Sequence, residues 1–202
     1  MTLTKDDYDA VSAAIGAAEQ RTCAQIVCVL AHASSDYAHV PILWASALAL
    51  FAPWPLIDFT AWSVQRIFFA QLAVFLVAAV AIALTPLRFA LTPRAVKRAR
   101  AHRAALEQFV VRRVAHTKHR SGVLIFVSLK ERYARIIADE GIAQKVPNAE
   151  WQAAIDALTA HMRAGRIAAG FTAAIERCGA VLAAHAPPDG SPNELPDRLY
   201  VM

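Results

Sequence analysis

Two long segments without charged side chains dominate this sequence. No Asp, Glu, Lys or Arg lies between Asp36 and Asp58, and none lies between Arg66 and Arg88. A helix needs roughly 20 apolar residues to cross the hydrocarbon core of a bilayer. Core helices of a small globular domain rarely need such long uncharged runs, and two in succession are rarer still. We therefore predict an integral membrane protein that is anchored by a hairpin of two apolar segments.

The two predicted spans, at about residues 40–57 and 67–87, differ in how well they suit a membrane. The second is interrupted by only two polar residues, Gln71 and Thr85. The first is shorter and has Pro53 near its end, which disfavours a continuous helix. A re-entrant segment is therefore the alternative to a full crossing for the first span.

The composition agrees with a localised apolar block. Hydrophobic residues make up 57% of the chain and charged residues 18%, whereas soluble domains average about 45–50% and about 25%. The mean hydropathy is +0.37. The first twenty residues contain five charged side chains and no apolar run, which argues against a cleaved signal peptide.

A basic stretch follows the second span. From Arg88 to Arg120, both included, there are ten Lys or Arg residues and one acid, Glu107. Such a run either binds nucleic acid or flanks a membrane anchor, and the adjacent spans favour the flank. We therefore expect no nucleic acid partner. The positive-inside rule places this flank in the cytoplasm. Because two crossings return the chain to its starting side, both termini are predicted to be cytoplasmic.

The rest of the sequence alternates between helix-like and strand-like patterns. Apolar residues at helical spacing predict helices at about residues 4–20, 93–115, 148–165 and 167–182. Short β-favouring runs predict strands at residues 24–31, 122–129 and 133–138. The first two strands are joined through a helix and should be parallel neighbours, whereas the second and third should form a β-hairpin. The predicted fold class is α/β.

This order divides the chain into four predicted segments. They are the first part of an α/β domain (1–36), a transmembrane helical hairpin (37–88), the second part of the domain (89–185) and a Pro-rich C-terminal tail (186–202). The tail carries four prolines and several acids, so we predict an extended segment that could dock a protein partner.

Several of these segments together resemble the TPM domain family. The run GVLIFVSLKERYARIIADEGI, Gly122–Ile142, resembles the family's central signature, in which a G-V-L strand is followed by an arginine, an R-I strand and a turn with glycine. Gly165–Phe171 resembles the segment that opens the family's last helix, and Glu19–Leu30 resembles its first helix-to-strand passage. The resemblance extends over about residues 8–36 and 93–185.

The resemblance implies a three-layer sandwich in which a small sheet lies between helices. Members of the family are often tethered to membranes. Some are described as acid phosphatases, some modulate a receptor, and some bind a divalent cation. The resemblance therefore implies a phosphatase activity and a divalent cation as expectations for this chain. The anchor is internal here, whereas it usually follows the domain in the family.

Three acids are the candidate ligands for a divalent cation. Asp36 follows the first predicted strand, and Asp139 and Glu140 follow the third. Ligand sites in α/β sheets gather beyond the carboxyl ends of strands, and hard divalent cations need several oxygen ligands. If the third strand is antiparallel, however, Asp139 lies at the opposite edge of the sheet from Asp36. The three acids would then be solvated turn residues.

Arginines and histidines supply the remaining candidates. Arg132 and Arg135 could contact a phosphate, because a phosphatase needs cations that hold this group as well as a nucleophile or a metal-bound water. Solvated arginines of an exposed β-turn are the alternative. His116 and His119 have the spacing of a metal pair, but no third ligand is evident nearby.

Two function classes follow from these features. The first is a non-catalytic interaction or scaffold module at the cytoplasmic face of the membrane, with the lipid bilayer and an unidentified protein as partners. The second is a weak metal-assisted phosphatase that hydrolyses phosphomonoesters with a divalent cation as cofactor. The sequence assigns no catalytic residue to it.

Overall fold

The computed structural model describes residues 3–37 and 39–202, which form two compact units. One unit comprises the chain up to Ser34 and from Arg98 onward, and the other comprises Ser35–Lys97. We call them the α/β unit and the hairpin unit. The C-terminal tail belongs to the α/β unit, because its last residues add a strand to the sheet of that unit.

The α/β unit is built on a mixed four-stranded sheet. Its strands are β1 (Gln25–Ala31), β2 (Gly122–Ser128), β3 (Tyr133–Ala138) and β4 (Leu199–Val201). They are arranged in the order β3-β2-β1-β4. β1 is parallel to both β2 and β4, and β2 and β3 form an antiparallel hairpin. The predicted parallel pair and the predicted β-hairpin are confirmed, whereas β4 was not predicted.

The helices follow the predicted order, with shorter ends and additional turns. In chain order they are α1 (Lys5–Glu19), α2 (His39–Phe51), α3 (Pro53–Phe59), α4 (Val64–Leu84), α5 (Leu87–Ala90), α6 (Arg94–Val111), α7 (Glu140–Ala143), α8 (Asn148–Arg163) and α9 (Ile167–His185). α6 ends before the predicted residue 115, because Arg113 adopts a left-handed conformation with φ 57° that a continuing helix cannot contain. A short 3-10 turn, Val114–His116, then leads to β2.

Helices cover both faces of the sheet. The side chains of Ile26, Cys28 and Leu30 on β1 pack in a core with α1, α8 and α9. The alternate side chains of β1 pack in a second core with α6, because successive residues of a strand point to opposite faces. All residues of β1 and β2 are buried. The predicted α/β fold with a small sheet between helices is confirmed.

The tail is held on the α/β unit along much of its length. The Thr22 hydroxyl donates a hydrogen bond of 2.5 Å to the Ala186 carbonyl, and Gln25 Oε1 accepts one of 3.0 Å from the Leu195 amide. The guanidinium groups of Arg112 and Arg198 lie over the ring of Tyr200 on β4, 3.8 and 4.5 Å from its centroid. The tail was predicted to be an extended segment that could dock a partner. In the structure this segment is hydrogen-bonded to the α/β unit, and the docking of a partner stays a prediction.

The hairpin unit consists mainly of two apolar helical arms. α2 and α4 pack along each other. The first predicted span is broken near Ala52, where α2 ends and Pro53 begins α3. Proline cannot donate the backbone hydrogen bond of a helix interior but suits the first helical position, which explains this break. Most large side chains of both arms, such as Phe51 and Leu84, are exposed.

Among the residues that the structure describes, three helical stretches are long and apolar enough to cross a membrane. They are His39–Phe59, Val64–Leu84 and Ile167–His185. The most apolar part of each stretch is buried inside the protein to a different extent: 22% for His39–Phe59, 6% for Val64–Leu84 and 44% for Ile167–His185. The third stretch is α9, whose Phe171, Ile175 and Leu182 are fully buried in the core of the α/β unit. The packing of that core therefore accounts for the apolar character of α9.

Candidate functional site

A groove runs along one free edge of the sheet in the α/β unit. Its floor is β3, which has a neighbouring strand on one side only. α6 forms one wall and α8 the other. The volume of the groove is about 780 Å³, which lies within the range of roughly 300–1,000 Å³ that is usual for ligand sites.

Four arginines make this groove strongly basic. Arg98 comes from α6, Arg132 and Arg135 come from the β2–β3 hairpin, and Arg163 ends α8. Among the described residues that line the groove, Asp156 is the single acid. None of the ion pairs formed within residues 3–37 and 39–202 uses one of the four arginines. Their positive charge is therefore available to a ligand.

The turn between β2 and β3 places Arg132 at the groove. Arg132 adopts a left-handed backbone conformation with φ 50°, and its amide donates a 3.1 Å hydrogen bond to the Leu129 carbonyl. Such a conformation costs a non-glycine residue about 1–2 kcal/mol. The buried carboxylate of Glu131 stabilises the turn, because it accepts hydrogen bonds from the Ser34 amide, at 3.1 and 3.2 Å, and from the Ser128 hydroxyl.

The groove contains both arginines that were predicted to contact a phosphate, Arg132 and Arg135. It adds Arg98, which the sequence assigned to the membrane flank, and Arg163, which the sequence did not single out. His102 also faces the groove, and its Nδ1 atom lies 3.4 Å from the Tyr133 hydroxyl on β3. Guanidinium groups bind carboxylates and phosphates through paired hydrogen bonds. The arrangement is therefore suited to an anionic ligand.

The acids that were predicted to bind a metal are not assembled into one site. The Asp139 amide donates a 2.8 Å hydrogen bond to the Gly122 carbonyl, so Asp139 and Glu140 lie at the edge of the sheet where β2 begins. Asp36 follows the opposite end of the parallel strand β1 and belongs to the hairpin unit. Within residues 3–37 and 39–202, no three His, Cys, Asp or Glu side chains are grouped as metal ligands.

Asp139 and Glu140 alone do not fit a divalent cation. Asp139 Oδ1 accepts a 2.7 Å hydrogen bond from the Glu140 amide, which caps α7. The Glu140 carboxylate pairs with Arg120 at 3.0 Å and accepts a hydrogen bond from Gln144 at 3.3 Å. Of the carboxylate oxygens of these two acids, Asp139 Oδ2 is the one that is buried without a hydrogen-bond partner among the described residues. One free carboxylate oxygen does not match the six to eight oxygen ligands that Ca²⁺ takes.

His116 and His119, the histidine pair with the spacing of metal ligands, also have other roles in the structure. His119 Nε2 lies 2.9 Å from Asp189 Oδ2 and 3.4 Å from the Ser191 hydroxyl, and both partners are in the C-terminal tail. His116 ends the 3-10 turn after α6. His119 therefore helps to hold the tail on the α/β unit.

Comparison with known proteins agrees with this fold. The family model of the TPM domain matches residues 85–181, which include α6, β2, β3 and α8. The chain is similar to the NMR structure of the BA42 protein from the psychrophilic bacterium Bizionia argentinensis, with a TM-score of 0.62 and 19% sequence identity over 100% of this chain and 97% of that chain. No curated protein matches the chain. Residues 85–181 of this chain therefore belong to the TPM domain family.

Proposed function

We propose that this protein is a membrane-anchored, non-catalytic interaction module that binds an anionic partner at the cytoplasmic face of the membrane. The observation that carries the proposal is the groove along β3, where four arginines without ion-pair partners among the described residues face one acid, Asp156. Positive charge concentrated in a groove attracts an anionic partner and orients it.

The exposed apolar surface of the hairpin unit supports the anchor. α4 is almost entirely exposed, and apolar surface of this extent is typical of contact with lipid. The stretch His39–Phe59 supplies the other span, whereas α9 is packed in the core of the α/β unit. The basic residues from Arg88 onward provide the cytoplasmic flank. The groove and both termini then lie on the cytoplasmic side.

We expect the protein to remain in the membrane pellet after alkaline carbonate extraction, because both apolar arms would contact lipid. A reporter fused after Met202 should be active only in the cytoplasm. Recovery in the soluble fraction would refute the anchor, and a reporter that is active only outside the cytoplasm would refute the orientation.

We expect full-length protein in detergent to bind a fluorescein-labelled hexaglutamate peptide, measured by fluorescence anisotropy. The affinity should fall as salt is raised, because the charges are screened. Reversing two charges, in Arg135→Glu/Arg163→Glu, should weaken binding by about tenfold or more. The matched control is Arg177→Glu, an exposed arginine on α9 outside the groove. If Arg135→Glu/Arg163→Glu and Arg177→Glu bound the peptide with equal affinity, the groove would not be the anion-binding site.

A metal-assisted phosphatase is the second candidate, since Arg132 and Arg135 line the same groove and could hold a phosphate. Hydrolysis of p-nitrophenyl phosphate by the full-length protein, with and without Mg²⁺, Ca²⁺ or Mn²⁺, separates the two candidates. The interaction module should give no turnover above a buffer control. Turnover that the double variant Arg135→Glu/Arg163→Glu loses and Arg177→Glu retains would establish the phosphatase instead.

A further inference from the structure

The floor of the groove is open for hydrogen bonding as well as charged. The hydrogen bond from the Asp139 amide to the Gly122 carbonyl marks a bonded pair of the antiparallel β2–β3 ladder. Bonded pairs alternate along such a ladder, so Ala134, Ile136 and Ala138 direct their N–H and C=O groups away from β2. Within residues 3–37 and 39–202 these outward groups have no hydrogen-bond partner.

We propose that the partner binds as an extended acidic peptide that adds to β3 as a fifth strand of the sheet. This inference rests on the proposed function, because it assigns the anionic partner of the same groove. An exposed sheet edge binds an extended segment through backbone hydrogen bonds, and pockets beside it select alternate side chains. The six residues of β3 span about 20 Å, which is enough for a segment of similar length.

The two walls of the groove predict different side chains on the two faces of the added strand. On the α6 side, Arg98 and Arg135 are placed for carboxylates. The side chains of Tyr133 and Ile137 pack in the core on this side, and Arg135, between them along β3, shares their face. On the α8 side, the half-buried Ala134 and Ile155 offer apolar surface, and Arg163, at the end of α8, adds one positive charge. Alternating acidic and small apolar or β-branched residues would satisfy both walls.

The charge of the groove argues against other occupants. A second copy of this chain that paired edge to edge would bring the arginines of two β3 strands together, and charges on an edge strand oppose such pairing. A lipid headgroup would use the arginines but would leave the row of outward backbone groups on β3 unpaired. A peptide with carboxylates satisfies both the arginines and the backbone groups.

Backbone methylation of a peptide probe separates strand addition from charge attraction. The probe is a fluorescein-labelled heptapeptide in which four glutamates alternate with threonine, valine and threonine. Two N-methylated versions, one at the amides of the glutamates and one at the other three amides, keep the same charge. Only one set of amides can face β3, so we expect one version to bind about tenfold more weakly and the other to match the parent probe.

A protein variant tests the same contact from the other side. Proline at position 134 removes an N–H that points away from β2, and edge strands tolerate proline at such positions. Ala134→Pro should weaken binding of the parent probe about fivefold, because one hydrogen bond is lost. If this variant does not fold, the comparison of the two methylated probes with wild-type protein still decides the question.

The outcomes separate the failure of this inference from the failure of the proposed function. Equal binding of both methylated probes, or loss of both, would overturn strand addition. The groove itself would still be supported if hexaglutamate binding depended on the arginines. Displacement of hexaglutamate by short-chain phosphatidylglycerol, with no binding of the heptapeptide, would identify a lipid site and also overturn it. Failure of hexaglutamate to bind at all would overturn the proposed function itself.

Discussion

Replacing Ile125 with aspartate should open the α/β unit to protease while the protein stays in the membrane. Ile125 is fully buried at the centre of β2, where it is paired in register with Cys28 on β1 and Ile136 on β3. Its side chain lies in the core that α1, α8 and α9 cover. A buried carboxylate without a partner costs several kcal/mol, which is comparable with the roughly 5–15 kcal/mol that stabilises a whole domain.

Limited proteolysis of membranes that contain the variant measures this effect. Ile125→Val is the matched control, because loss of one buried methylene costs only about 1 kcal/mol. Carbonate extraction of the same membranes should show both variants in the pellet, since the hairpin unit has its own apolar surface. A protease-resistant Ile125→Asp variant would mean that β2 is not the central strand of the folded core.

Glu19→Gln should stabilise the protein at alkaline pH. The Glu19 carboxyl group lies at the end of α1, where Oε1 accepts a 2.7 Å hydrogen bond from the Ile26 amide. Oε2 is buried without a hydrogen-bond partner among the described residues. Burial raises the pKa of Glu19 to about 8, against the lowering effect of the Ile26 amide, and the nearby carboxylate of Asp197 raises the pKa further.

The raised pKa determines how stability changes with pH. The folded state favours the neutral carboxyl group, whereas the unfolded chain ionises near its ordinary pKa of 4.5. The contribution of Glu19 is therefore complete below that value and is lost as pH rises towards about 8. The loss is on the order of 3 kcal/mol after allowance for partial exposure. Glutamine can still accept the hydrogen bond from Ile26 but cannot ionise.

Urea unfolding followed by pulse proteolysis at pH 5 and pH 9 tests this expectation. The unfolding midpoint of the wild type should fall at pH 9 more than that of Glu19→Gln. Glu176→Gln, at an exposed position on α9, should behave like the wild type. The same fall in Glu19→Gln as in the wild type would show that another group controls the alkaline loss.

Elements that are stabilised by local sequence patterns could be predicted from the sequence, whereas elements that depend on contacts with distant residues could not. β2 was predictable because a strand buried on both faces is apolar at nearly every position, and the β2–β3 turn is local. β4 was not, because its three residues form a strand only by pairing with β1, far away in the sequence. The break of the first apolar arm at Ala52 follows from Pro53, a signal that the sequence contains.

The site shows the same division. Arg132 and Arg135 were predicted together because one hairpin carries both. Arg98 and Arg163 join them only through the packing of α6 and α8 on opposite faces of the sheet, which no local pattern indicates. The antiparallel direction of β3 places Asp139 where β2 begins. The predicted metal ligands Asp36 and Asp139 are therefore at opposite edges of the sheet and do not form one site.

Affinity purification of the full-length protein from native membranes asks whether the arginines of the groove hold a partner. The wild type and Arg177→Glu should retain the same partner in the same amount. Arg135→Glu/Arg163→Glu should lose that partner while remaining in the membrane and resistant to protease. Retention of the same partner by the folded groove variant would show that these arginines do not hold it.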